Sequence, residues 1–165
     1  EVSVKSKDKL LCGISWISKT SEIGINKSIT LEILKPVLKI DNIEFIDLQY
    51  TDTLVERKNF YKDNNIKITK FDNIDNLNDL NSLCSLIDIC DFVITISNTN
   101  AHIAGALGKK TFLLLPKGKG RLWYWISKNK KSIWYPKIEI IEQDEIGNWQ
   151  PVIKKLQKKV KENSN

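Results

Sequence analysis

Two continuous apolar runs constrain the fold of this chain most. Phe92–Ile96 and Thr111–Leu115 are made almost entirely of β-branched, aromatic and leucine residues. Such runs are typical of parallel strands that are buried on both faces of a sheet. Between them, residues 100–107 are mostly small and apolar, and Gly108 follows, which predicts a helix and its end. Strand, helix and strand in close succession predict a βαβ unit.

The same alternation covers most of the chain. Further strands are predicted at Leu11–Trp16, Glu44–Gln49, Ile66–Thr69 and Lys137–Ile141. Helices are predicted over about Leu31–Lys39, along the stripe of Leu80, Leu83, Cys84 and Ile87, and from Pro151 onward. A polar loop is predicted after the first strand, and Thr53 with Glu56 predicts a capping box. We therefore predict an α/β fold, in which residues 1–165 form a single Rossmann-like parallel sheet with helices on both faces.

The composition of the chain limits the classes of ligand and partner that we expect. The chain carries 26 basic and 20 acidic residues in a length of 165, a formal charge of +6, which suits phosphate-rich ligands. Much of the basic excess, however, falls on the predicted last helix, where we interpret the lysines as a solvated helix face. Aromatic residues do not interleave with a basic stripe, so we predict no nucleic-acid partner. No apolar run approaches the ~18 residues of a membrane span, so we expect a protein that is not transmembrane.

Motifs for metals and cofactors are missing from the sequence. Three cysteines without a CxxC pair and one histidine predict a reducing, cytoplasmic setting and no His/Cys zinc site. No Asp-x-Asp pair, Walker A motif or GxGxxG follows any predicted strand. We therefore predict no metal and no cofactor. Because the chain has no methionine, we expect it to be a piece of a longer protein.

The predicted strands end in segments with binding chemistry. In an open parallel sheet, ligands bind beyond the carboxyl ends of the strands. Asn98 and Thr99 follow a buried strand and open a helix, whose free N–H groups and dipole predict a phosphate site. His102, in the first turn, is either a hydrogen-bond donor to a diphosphate or a core histidine. Lys27, with Ser15 in the preceding segment, is either a second phosphate ligand or an exposed loop lysine.

Several segments carry a family resemblance. Segment 97–108, SNTNAHIAGALG, resembles the D-[TN]-[SG]-x-x-H…AxALGKP signature of the ADP-heptose:lipopolysaccharide heptosyltransferase family, a bacterial glycosyltransferase group. It is similar also to the glycosyltransferase-like domains that follow tetratricopeptide repeats. Further matches, in chain order, are GISW at 13–16, KSI at 27–29, FIDLQY at 45–50, WYW at 123–125, SIWYP at 132–136 and NW at 148–149.

The resemblance implies a role and a set of site residues. It implies the C-terminal, donor-binding half of a GT-B fold, with metal-independent transfer from a nucleotide-diphosphate sugar to a glycan, lipid or protein acceptor. Asn98, Thr99 and His102 match the pyrophosphate-binding helix start, and Lys27 matches the phosphate cation. Gln49 lies near the nucleoside-contacting segment. The catalytic carboxylate would lie in an N-terminal half outside this chain, and the setting would be cytoplasmic or peripheral to the inner membrane.

Departures from the family pattern support an alternative. Ser97 stands where the family has an aspartate, Ile17 where it has a basic residue, and Tyr124 where it has an arginine. The alternative is a non-catalytic binding or scaffold module of a tetratricopeptide-repeat protein. Trp123, Trp125, Trp134 and Tyr135 are predicted to pack against or cover the sheet edge.

Overall fold

The computed structural model describes residues 9–164. Its strands are β1 (Leu10–Ser15), β2 (Ile43–Asp47), β3 (Ile68–Thr69), β4 (Phe92–Ile96), β5 (Lys110–Leu115), β6 (Ser127–Lys128), β7 (Lys131–Ser132) and β8 (Ile138–Glu142). Its helices are α1 (Ser21–Lys27), α2 (Leu31–Leu38), α3 (Leu54–Asn64), α4 (Leu80–Ile89), α5 (Thr99–Ala106) and α6 (Gln150–Ser164).

Within the described residues, the strands form one eight-stranded sheet in the order β3-β2-β1-β4-β5-β8-β7-β6. Every pairing from β3 to β8 is parallel, and β4 and β5 are adjacent and central, as the two apolar runs predict. The order reverses beside β1, where the chain crosses from β3 back to β4. At such a switch point, the loops on either side diverge and leave a crevice for a ligand.

Helices cover both faces of the sheet, which confirms the predicted α/β class. On one face, Ile14, Ile94 and Leu114 belong to a core that also contains apolar residues of α2, α3 and α6. On the other face, Leu11 and Val93 pack with the buried stripe of α4. Because the neighbouring residues Val93 and Ile94 enter opposite cores, the sequence of β4 is almost continuously apolar.

Two segments of the chain contain elements that the sequence did not predict. The polar loop predicted after β1 contains the short helix α1, whose sequence SEIGINK has too few apolar residues to show a helical stripe. Between β5 and β8, the chain forms an antiparallel hairpin of β6 and β7 that extends the sheet edge. Each of these strands has two residues, which is too short for a periodic pattern to develop.

The predicted capping box at the start of α3 is wrong. The hydroxyl of Thr53 donates to the buried carboxylate of Asp47 and makes no cap to the helix. The carboxylate of Glu56 instead accepts hydrogen bonds from the indole N–H of Trp16 and the backbone N–H of Leu31. Both side chains have tertiary partners that a local sequence pattern does not reveal.

Among residues 9–164, no helix has both the length and the apolar composition that crossing a membrane requires.

Candidate functional site

A cleft of about 420 Å³ lies beyond the carboxyl ends of the central strands. Its walls come from α1, the start of α5, the segment between β3 and α4, and the segment after β5. The predicted residues that line it are Lys27, Ser97, Asn98, Thr99 and His102, while Ser15 and Gln49 lie behind its wall. The volume falls within the usual range for small-molecule sites.

The first turn of α5 forms one wall of the cleft. Asn98 caps the helix: its side-chain oxygen accepts from the backbone N–H of Ala101, and its amide nitrogen donates to the hydroxyl of Ser15 over 2.7 Å. Within the described part of the chain, the backbone N–H groups of Thr99 and Asn100 have no hydrogen-bond acceptor. Two free donors at the positive end of a helix dipole form an anion-binding arrangement.

Lys27 lies at the end of α1 and is buried on the cleft wall, with 5% of its surface exposed. Its ammonium group has no ion pair or hydrogen bond with any residue from 9 to 164. Burial lowers the pKa of Lys27 from its ordinary value, because the charged form loses hydration without gaining a partner. An exposed loop lysine, the alternative interpretation, does not fit this position.

His102 is half-buried among aromatic side chains on the same wall. Its ring stacks on Trp125 with a centroid separation of 4.7 Å, and its Nδ1 lies 3.2 Å from the hydroxyl of Tyr135. Its Nε2 has no hydrogen-bond partner among the described residues. Burial lowers the pKa of His102, so the ring is neutral at pH 7. The ring therefore has features of both a core histidine and a diphosphate ligand. One nitrogen is held by the protein, and the other is unpaired in a residue that lines the cleft.

Ser97 connects the end of β4 to residues 123–135, which we call the aromatic segment. Its hydroxyl accepts a hydrogen bond of 2.8 Å from the indole N–H of Trp125, which is fully buried. Trp125 and Tyr135 thus pack against the fold as predicted. Trp123 and Trp134 are 81% and 57% exposed, and the indole N–H of Trp134 donates to the backbone oxygen of Tyr124. The sequence alone did not identify Trp125 as the residue that orients His102.

Ser15 and Gln49 hold the cleft wall in place. The side-chain oxygen of Gln49 accepts from the Ser15 hydroxyl and from the backbone N–H groups of Trp16 and Ile17. Its amide nitrogen donates to the backbone oxygen of Ile17. Gln49 is fully buried, and its hydrogen-bonding groups are occupied by the protein. It fixes the segment that leads from β1 into α1, and so the position of Lys27.

A buried ionic cluster stands behind Gln49. The carboxylate of Asp47 lies 3.2 Å from the Arg57 side chain and 3.7 Å from the Lys70 ammonium, and it accepts from the backbone N–H of Gln49. Desolvation raises the pKa of Asp47, while Thr53 and the two cations oppose the shift. The cluster fixes the end of β2, and the sequence offered no local signal for it.

The electrostatics of the cleft favour anions. Lys27 is the one lysine among the described lining residues, which include no aspartate or glutamate. Residues 9–164 also contain no group of three or more His, Cys, Asp or Glu side chains arranged to hold a metal ion. The cleft therefore offers a cation, a helix start and a neutral imidazole to a ligand.

Comparison with known proteins gives a distant similarity. No model of a known protein family matches the chain. The chain is similar to protein FlbA of Caulobacter vibrioides, with 26% identity over 142 residues. The alignment covers 86% of this chain and 23% of FlbA, so the chain spans less than a quarter of that relative's length.

Proposed function

We propose that this chain is the donor-binding half of a metal-independent glycosyltransferase, and that its cleft binds the diphosphate of a nucleotide sugar. The observation that carries the proposal is Lys27, a residue with 5% of its surface exposed whose ammonium has no partner among residues 9–164, on the wall of the same cleft as the first turn of α5. A buried charge is costly unless it is paired. A diphosphate between Lys27 and the free N–H groups of Thr99 and Asn100 supplies the missing partner.

Other features of the cleft support the same ligand. The unpaired Nε2 of His102 is available to donate to a diphosphate oxygen when Nδ1 accepts from Tyr135. A donor set of cation, backbone N–H groups and imidazole needs no metal to neutralise a diphosphate. The motif resemblance gives the sugar-nucleotide class, and the acceptor is a glycan, lipid or protein bound by another part of the parent protein.

A second candidate is a binding or scaffold module that has lost turnover. Ser97 favours it, because this residue replaces the aspartate of the family pattern and its hydroxyl is committed to Trp125. In this case, the cleft still binds a nucleotide diphosphate. Activity of the full-length parent, with an acceptor-binding half or helical repeats upstream, separates the two candidates.

The test is calorimetric titration of the chain and two variants with nucleoside diphosphates. Lys27→Met should weaken binding about tenfold or more, because a charge-assisted hydrogen bond is lost. It should leave thermal stability unchanged or higher, because a partly desolvated charge without a protein partner is removed. Lys62→Met removes the same charge from an exposed site on α3 and should change neither quantity. Unchanged affinity in Lys27→Met, or no binding of any nucleoside diphosphate, would overturn the proposal.

A further inference from the structure

Asn76 carries an unsatisfied polar atom on the cleft wall. It lies between β3 and α4, lines the cleft and is only 8% exposed. Its amide nitrogen donates to the backbone oxygens of Gln49, over 3.1 Å, and Asp47, over 3.4 Å. The two carbonyls fix the orientation of the amide, so Oδ1 is turned away from the end of β2. This oxygen is buried and has no hydrogen-bond partner among residues 9–164. Such a group in a native protein calls for an explanation.

Apolar side chains line the same cleft as this acceptor. Leu77 and Leu80 are 65% and 58% exposed, and Tyr50 also lines the cleft. Together with Asn76, the two leucines give the cleft an apolar surface and one hydrogen-bonding position. A nucleobase has the matching properties, with two apolar faces and a polar edge.

The sheet order separates this wall from the aromatic segment. Asn76 bonds to the end of β2, which lies on one side of β4, whereas Tyr124 follows β5 on the other side. The start of α5, directly after β4, lies between them. A diphosphate at the start of α5 therefore has an apolar wall with a recessed acceptor on its β2 side.

We infer that Asn76 determines nucleobase specificity: its Oδ1 accepts a hydrogen bond from the exocyclic amino group of adenine, cytosine or guanine, with the base against Leu77 and Leu80. This inference rests on the proposed diphosphate site. Oδ1 has almost no accessible surface, so a donor reaches it only when it projects from the ring and the neighbouring side chains move aside. Uracil carries its N–H between two projecting carbonyl oxygens, which would meet Oδ1 first. Hypoxanthine carries an oxygen where adenine has its amino group.

The test compares five ligands on the unaltered chain by calorimetry: ADP, CDP, GDP, UDP and inosine diphosphate. The tightest binder should carry an exocyclic amino group and bind about tenfold more tightly than UDP and inosine diphosphate, through one hydrogen bond to a buried acceptor. Asn76→Leu should bring these affinities to within about twofold of one another. Asn78→Leu alters an exposed asparagine of the same segment, outside the cleft, and should keep the preference.

The outcomes separate this inference from the proposed function. If UDP or inosine diphosphate binds as tightly as the best amino-bearing ligand, the base inference is overturned and the diphosphate site stands. A preference that persists in Asn76→Leu overturns it too. If that variant fails to fold, the ligand series on the unaltered chain decides. If none of the five ligands binds, the proposed function is overturned and the base inference with it.

Discussion

His102 is the single histidine of the sequence, so its titration does not overlap with that of another histidine. Burial lowers its pKa below the ordinary value of about 6.5. The unfolded chain therefore takes up a proton at a higher pH than the folded protein does. The neutral ring contributes stability above about pH 6.5, and this contribution is lost as the pH falls through the lower folded pKa.

This linkage predicts that the free energy of unfolding depends less on pH when His102 is replaced. Between about pH 7 and pH 5, the free energy of unfolding of His102→Gln should fall less than that of the unaltered chain. Urea unfolding at a series of pH values measures the difference. Parallel profiles for the two proteins would show that the ring is as accessible to protons in the folded state as in the unfolded state.

At the scale of single residues, the sequence predicts which residues lie near the cleft better than it predicts whether their polar atoms are free to bind a ligand. Lys27 and His102 were recognised from their places after strands, and both line the cleft. Gln49 and Ser15 were recognised in the same way, yet their polar atoms bond to the protein. Asn76 was missed, because its position depends on carbonyls at the end of β2, about thirty residues earlier. Residue type and spacing do not show which polar atoms the fold leaves unpaired.

The contact between α5 and the aromatic segment depends on Gly105. A methyl group added there would lie 2.5 Å from the ring of Tyr135, the residue whose hydroxyl meets His102. In an ordinary helix, glycine to alanine stabilises by roughly 0.5–1 kcal/mol. Here we expect Gly105→Ala to destabilise by roughly 1–3 kcal/mol, because the ring must move. Chemical denaturation measures the change.

A double variant provides the control for this steric argument. In a Tyr135→Ala background, the added methyl group no longer meets a ring, so Gly105→Ala should become neutral or stabilising. If the glycine substitution costs the same free energy in both backgrounds, the close approach of Tyr135 is not its cause.

At the scale of elements, the sequence predicts a strand or helix only where its apolar pattern is long enough to be recognised. β1, β2, β4 and β5 have five or six residues each, and their apolar sequences predicted them to within a residue or two. β6 and β7 have two residues each, and α1 has a polar sequence of seven, so no periodicity was available. These unpredicted elements are held by tertiary contacts, such as the hydrogen bond from the backbone of Ile140 to Lys130.

At the scale of the whole molecule, we expect ligand binding and catalytic turnover to reside in different parts of the parent protein. The described lining of the cleft includes no carboxylate to act as a base. We therefore expect the isolated chain to bind nucleoside diphosphates and nucleotide sugars without transferring sugar to an acceptor. A transfer assay with a panel of labelled nucleotide sugars measures this. Robust transfer by the 165-residue chain would place the catalytic group within it.

A crystal structure of the chain with the nucleoside diphosphate that binds most tightly in solution would test the proposed diphosphate site. We expect diphosphate oxygens in contact with the Lys27 ammonium and with the backbone N–H groups of Thr99 and Asn100, and His102 beside them. A nucleotide bound elsewhere on the sheet, with Lys27 still buried and unpaired, would contradict it.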